Sequence, residues 1–187
     1  MKTPGLNTIP ARLPVITVLA LGLLLRVIYL LANIQNPDFR SPVLDPQLND
    51  YWARALVTGD WVPPPHADDP EIKTTPYGRP PAYPWLLAGI YRAGRGSYLA
   101  PRLVQIAAGL LNIFLVFLLG RRLSGNASGI IASFLMAVFW AAVYFEGELN
   151  SPVWEACLAL GMVLCLLHWT DTKAWRWLAA AGLLLGV

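Results

Sequence analysis

LPVITVLALGLLLRVIYLLANI, residues 13–34, decides the fold of this chain. The stretch holds one charge, Arg26. As a helix rising about 1.5 Å per residue it is long enough to cross roughly 30 Å of hydrocarbon. Three runs of like character follow at 103–120, 127–145 and 152–169, and a fifth, 174–187, is still apolar where the sequence stops. That last feature predicts that 1–187 is the N-terminal part of one longer membrane domain. The first run is too long for a secretory signal, whose apolar region spans about 7–15 residues and closes on a small-residue cleavage site. Composition agrees: 56% of the residues are apolar and 13% charged, with a mean hydropathy of +0.51, whereas soluble domains carry about 25% charged residues. The predicted class is an all-α integral membrane protein whose partner is the lipid bilayer.

The polar residues orient the spans. Lys2, Arg12, Arg121, Arg122, Lys173 and Arg176 stand with one acid, Asp171, at the ends that the basic-flank rule assigns to the cytoplasm. The loop 35–100 and the turn around 146–150 hold nine of the eleven acids, on the predicted extracytoplasmic side. The net charge of +3 is thus a topology signal and excludes a nucleic-acid partner. Cys157 and Cys165 lie inside the fourth run and read as small apolar residues. The triplet Asn126, Ala127, Ser128 falls in a cytoplasmic loop, an accidental match to a glycosylation acceptor.

A loop as long as 35–100 is uncommon unless it binds or catalyses. Two interfacial helices are predicted in it, at about 46–57 and 81–93. In the first, Leu48, Trp52, Ala55 and Leu56 share an apolar face, with Asp50 and Arg54 turned toward the other. In the second, Tyr83, Trp85 and Tyr91 are placed at headgroup depth. Two surface helices beside a bundle make a roofed groove.

Asp45 opens the first of these helices, where Asp before Pro46 is also a good helix start. One carboxylate oxygen can cap while the other serves as a base. Glu146 and Glu148 stand where the third span leaves the membrane, either as acids joining Asp45 or as a solvated turn. Asp68 and Asp69, with His66 nearby, read as an exposed loop. Arg79 precedes the second surface helix, where a guanidinium grips phosphate bidentately or anchors at the interface. Arg26 sits about 20 Å along the first span; a charge there has a function or snorkels outward. Gln105 and Asn112 are suited to hydrogen bonds between helices.

Three segments carry a family resemblance: SPVLDPQLNDYWARALVTGDW (41–61), PPAYPWLLAGIYRAG (80–94) and the run from RLVQ to ELNSP (102–152). They resemble the N-terminal half of GT-C glycosyltransferases, most closely bacterial members related to the protein mannosyltransferases. The specific pieces are Asp45 with Trp52, Ala53, Gly59, Asp60 and Trp61, the Tyr83–Pro84 helix, the Arg121, Arg122, Leu123 loop, and Phe145, Gly147, Glu148, Leu149. The resemblance implies a GT-C-like multi-span bundle in a bacterial inner membrane. It also implies a polyprenyl-phosphate sugar as donor, a hydroxyl on lipid, glycan or protein as acceptor, and an inverting transfer with Asp45 as general base. Glu148 matches the second acidic position of the pattern, which implies a catalytic role in positioning acceptor or metal, and Arg79, Asp50 and Arg26 are the candidate substrate-binding residues. Pro46 stands where many relatives carry a second acid, so a divalent metal, if one is used, falls to Asp45 and Glu148. The competing reading is a non-catalytic membrane scaffold or a transporter fragment, but a transporter expects broken helices at matching places in two repeats, and no repeat is visible in the sequence.

Overall fold

A computed structural model describes residues 12–65, 67, 70–74 and 80–186. The described residues form helices joined by turns, in the order α1 Arg12–Asn33, a 3-10 turn Pro37–Phe39, α2 Asp45–Thr58, α3 Glu71–Thr74, α4 Ala82–Ala93, α5 Leu99–Ser124, α6 Asn126–Val138, α7 Trp140–Gly147, α8 Pro152–Thr172 and α9 Trp175–Leu185. Three of them, α1, α5 and α8, are each long and apolar enough to cross a membrane. Their outer faces leave Leu24, Ile28, Leu31, Leu103 and Leu111 exposed, as apolar surface meant for lipid would be. The chain is an all-α membrane protein. α9 is an apolar helix of 11 residues, too short to span alone.

The third apolar run, expected as one span over 127–145, is two helices, α6 and α7, that meet at an angle of 51°. Neither Pro nor Gly stands at the break; Phe139 is there in an extended conformation, φ −68° and ψ 102°. The cause lies on α1. The Nη1 of Arg26 donates to the carbonyl oxygens of Gly22 at 3.0 Å and Ala137 at 3.3 Å, so a side chain has entered the carbonyl ladder just before the bend. The remaining donors, Nε and Nη2, meet Oε2 and Oε1 of Glu146 at 2.6 and 2.7 Å. Both residues are only 1% exposed. Arg26 therefore does not snorkel, and Glu146 is no solvated turn: the pair joins the first span to the second half of the third.

α5 is the axis of the bundle, in contact with α1, α6, α7 and α8. It turns into α6 through Gly125, whose φ of 91° favours glycine. The two helices then run close together because Gly129 has no side chain. A Cβ there would sit 2.7 Å from the backbone oxygen of Phe117 and 2.9 Å from the backbone nitrogen of Arg121, neither of which can move aside. Gly129→Ala is expected to destabilise the hairpin by about 1–3 kcal/mol of overpacking, less roughly 0.5–1 kcal/mol gained in helix propensity. A lowered melting temperature in detergent would register it, and an unchanged or raised one would refute the close packing.

On one end of this bundle lie α2 and α4, packed against each other. A core of Ala53, Tyr83, Leu87, Tyr91 and Leu149 joins them to the exit of the third span. Tyr83 and Tyr91 are thus buried, at 8% and 2% exposure, and only Trp85, at 65%, projects outward as an interfacial anchor would.

Candidate active site

The last turn of α7 leaves carbonyl groups without helical donors, and the backbone from Phe145 to Leu149 then runs out of helix. Side chains from three other helices claim these oxygens. From α5, the Nε2 of Gln105 donates to the carbonyls of Glu146 at 2.9 Å and Glu148 at 2.6 Å, and Nε of Arg102 donates to that of Gly147 at 2.8 Å. Asn33 of α1 reaches the same Gly147 oxygen at 3.4 Å, and Asn49 of α2 donates to Leu149 at 2.9 Å. The Gln105 amide is itself oriented by the Tyr83 hydroxyl, which donates to Oε1 at 2.6 Å. The exit segment is therefore fixed by buried polar groups, the setting in which such bonds are strongest and most costly to lose.

Glu148 is the acid this arrangement presents. It is half-buried, and burial first, with Asp38 adding, raises its pKa above the ordinary carboxylate value, while the positive charge of Arg102 pulls the other way. Arg102 is positioned for that: its Nη1 donates to the Tyr98 carbonyl at 2.7 Å, and its guanidinium lies 3.9 Å from the Phe39 ring centre. Neither Arg102 nor Asp38 was singled out from sequence. Arg102 carried a legible signal, a guanidinium immediately before the acidic-side end of an apolar run.

Asp45 occupies the first turn of α2, after Leu44 and before Pro46. Asn49 follows it by one helical turn, about 6 Å along the axis, and Asn49 is the residue bonded to the Leu149 carbonyl. The start of α2 and the Glu148 segment are therefore held at the same end of the bundle.

Asp50, expected on the outer face of that helix, is instead buried at 8% exposure. Its Oδ1 accepts from the Tyr91 hydroxyl at 2.5 Å and its Oδ2 from Tyr98 at 3.1 Å, and Nε of Arg54 meets both oxygens at 3.0 Å. The Arg54 guanidinium also lies over the rings of Tyr91 and Tyr98, at 4.7 and 4.4 Å. Burial, with Asp50 adding, pushes both phenols upward in pKa, so they remain protonated donors. This cage braces α2 against α4 and the turn before α5. Arg79, Asp68, Asp69 and His66 lie outside the described residues.

Two of the cavities at this end matter for the site. One, of about 410 Å³, lies between α2, α4 and the start of α8; Pro80, Leu86, Leu158 and Trp154 wall it, and Asn49 and Glu155 supply polar groups. The other, of about 690 Å³, runs along α2 and is of mixed charge, with Asp38, Arg40, Gln47, Arg54 and Asp60 in its lining. Among the described residues no three His, Cys, Asp or Glu side chains are gathered to hold a metal.

Residues 78–187, more than half of the chain, match a model of the family described as dolichyl-phosphate-mannose-protein mannosyltransferase. The chain belongs to this family. It is a membrane glycosyltransferase of the GT-C type, and within the matched part fall α4, α5, the bent span and Glu148, whereas Asp45 and Asp50 precede it. No curated protein and no solved structure matches the chain significantly.

Proposed function

We propose that this glycosyltransferase moves a sugar from a polyprenyl-phosphate-linked donor to a hydroxyl acceptor on the extracytoplasmic face of the membrane. Asp45 takes the acceptor proton as the acceptor oxygen bonds to the anomeric carbon. The bond from that carbon to the phosphate oxygen breaks, its electron pair leaves with the polyprenyl phosphate, and the anomeric centre inverts. Glu148 orients the acceptor hydroxyl. The apolar-walled cavity beneath α4 receives the lipid-borne donor, with Arg79, the sequence neighbour of its wall residue Pro80, on the phosphate; the charged cleft along α2 receives the acceptor. Arg26 and Asp50 serve the substrates indirectly, as the ties that hold the walls. A divalent metal is no required part of this scheme.

The observation that carries the reading is the Asn49 to Leu149 hydrogen bond, which ties the helix opened by Asp45 to the segment bearing Glu148 in a chain of this family. The test is a transfer assay on the full-length protein in membranes, offered polyprenyl-phosphate sugars and nucleotide sugars in parallel. Transfer from the lipid-linked donors alone is expected. Transfer from nucleotide sugars alone, or from neither, would overturn the proposal.

The charge around Glu148 gives a signed pH prediction. Asp38 adds to the upward pull on the Glu148 carboxyl, so Asp38→Asn removes a raising influence and Glu148 ionises at a lower pH. If ionised Glu148 is the working form, the acid limb of the pH–rate profile moves to lower pH in Asp38→Asn. A limb displaced to higher pH contradicts that role.

A further inference from the structure

At the end of the bundle opposite Glu148, the last turns of α5 and α8 and the start of α9 enclose a cavity of about 300 Å³. Its walls are leucines, Leu118, Leu164 and Leu167, and its rim carries Arg121, Arg122, His168 and Trp177. Arg122 is spent on Asp171, its Nη2 contacting both carboxylate oxygens. Arg121, Lys173 and Arg176 have no carboxylate partner among the described residues. Each is held over an aromatic ring, Arg121 over Phe117 at 5.9 Å, Lys173 over Trp169 at 4.9 Å and Arg176 over Trp177 at 5.6 Å. A cation resting on a ring face keeps N–H donors for an anion.

We infer that this notch binds the headgroup of an anionic phospholipid, with the start of an acyl chain against its leucines. Charge complementarity selects the anion: Arg121 lines the cavity without an acidic partner, and Arg176 rests on the ring of its rim residue Trp177. The apolar wall selects a lipid over a free phosphate ion, since a small ion makes no use of it. A basic flank that serves only to set topology needs no cavity between helices, whereas basic pockets between spans are where acidic headgroups lodge. The site is separate from the catalytic end and stands whether or not the proposed donor is correct.

The experiment places the full-length protein in nanodiscs of phosphatidylcholine containing a fifth of phosphatidylglycerol, extracts it into detergent, and counts retained phosphatidylglycerol by native mass spectrometry. The native protein is expected to keep one phosphatidylglycerol molecule. The double variant Arg121→Gln, Arg176→Gln should lose it by about tenfold or more, each basic group near the headgroups contributing to the attraction. Arg92→Gln, Arg95→Gln, which removes two cations at the other end, should leave retention unchanged. Equal retention by both variants, or equal loss, overturns the site, the second result marking diffuse attraction only. A further arm measures the melting temperature in neutral detergent with inorganic phosphate or with phosphatidylglycerol added. Stabilisation by phosphatidylglycerol alone is expected, and equal stabilisation by inorganic phosphate would overturn the lipid assignment. The melting temperatures of the two variants without lipid report that both fold.

Discussion

Asp45→Asn is expected to lower kcat by about 10²–10⁴-fold, the usual contribution of a positioned general base, while donor binding and the fold persist. The fold should survive because asparagine keeps the size and shape of aspartate at this position, which is the first of the helix rather than its N-cap, Leu44. The favourable charge at the positive end of α2, worth about 0.3–1 kcal/mol, is lost there. Donor affinity should persist because Asp45 is not among the proposed donor contacts, which are the lining of the cavity beneath α4 and Arg79. Steady-state kinetics on purified full-length protein, with KM for the lipid donor measured beside kcat, separate the outcomes. A fall in kcat at constant KM is the mark of an interaction made in the transition state. A folded Asp45→Asn protein with full turnover would remove Asp45 from the chemistry. Glu148→Gln should act differently, raising KM for the acceptor more than it lowers kcat, because an orienting group contributes to binding as well as to the reaction.

Hydropathy made the spans legible, since lipid demands a length and an apolar content that any reader of the sequence can count. The first span was expected at 13–34 and α1 covers Arg12–Asn33; the surface helices fall within a residue or so of their expected places. Gln105 and Asn112 were expected to bond between helices, and both do, Asn112 through its Nδ2 to the Val153 carbonyl at 2.9 Å. The bend at Phe139 was invisible because Arg26, which claims the Ala137 carbonyl, is 111 residues away from Ala137 in sequence, on a span that local pattern cannot pair with it. The face of Asp50 was misread for a related reason. A carboxylate is assigned to water unless its donors are known, and two of the three donors here come from Tyr91 and Tyr98, some 40 and more residues on. Arg26 and Glu146 were each noticed as charges in unusual places, but single-sequence reasoning offers no means of matching one to the other. The acids of the candidate site could be gathered on one side by topology; the amides and guanidinium that fix the exit segment could not.

Glu146→Ala is expected to cost about 3–5 kcal/mol of stability, because it strands the Arg26 guanidinium in a dry interior. The price of a lone buried charge, rather than the worth of the pair, sets that figure. Replacing both partners, Arg26→Met with Glu146→Met, should recover most of the loss, as hydrophobic residues of similar volume often replace a buried ion pair at little cost. Arg26 also satisfies the Ala137 carbonyl at the break of the third span, so the double variant leaves an unpaired oxygen worth about 1–3 kcal/mol and is expected to fall short of native stability by that amount. Gly109 supplies an independent lever, since a Cβ built on it would overlap the Glu146 carboxylate. Gly109→Ala should therefore push Glu146 off Arg26 and destabilise the native protein, yet Gly109→Ala combined with Glu146→Ala should be no worse than Glu146→Ala alone. Thermal melts of these variants in one detergent give the double-mutant cycle directly. Strict additivity of Gly109→Ala and Glu146→Ala would show that the glycine is not there for the ion pair, and full retention of stability by Glu146→Ala would show that Arg26 has another way to be satisfied within the membrane.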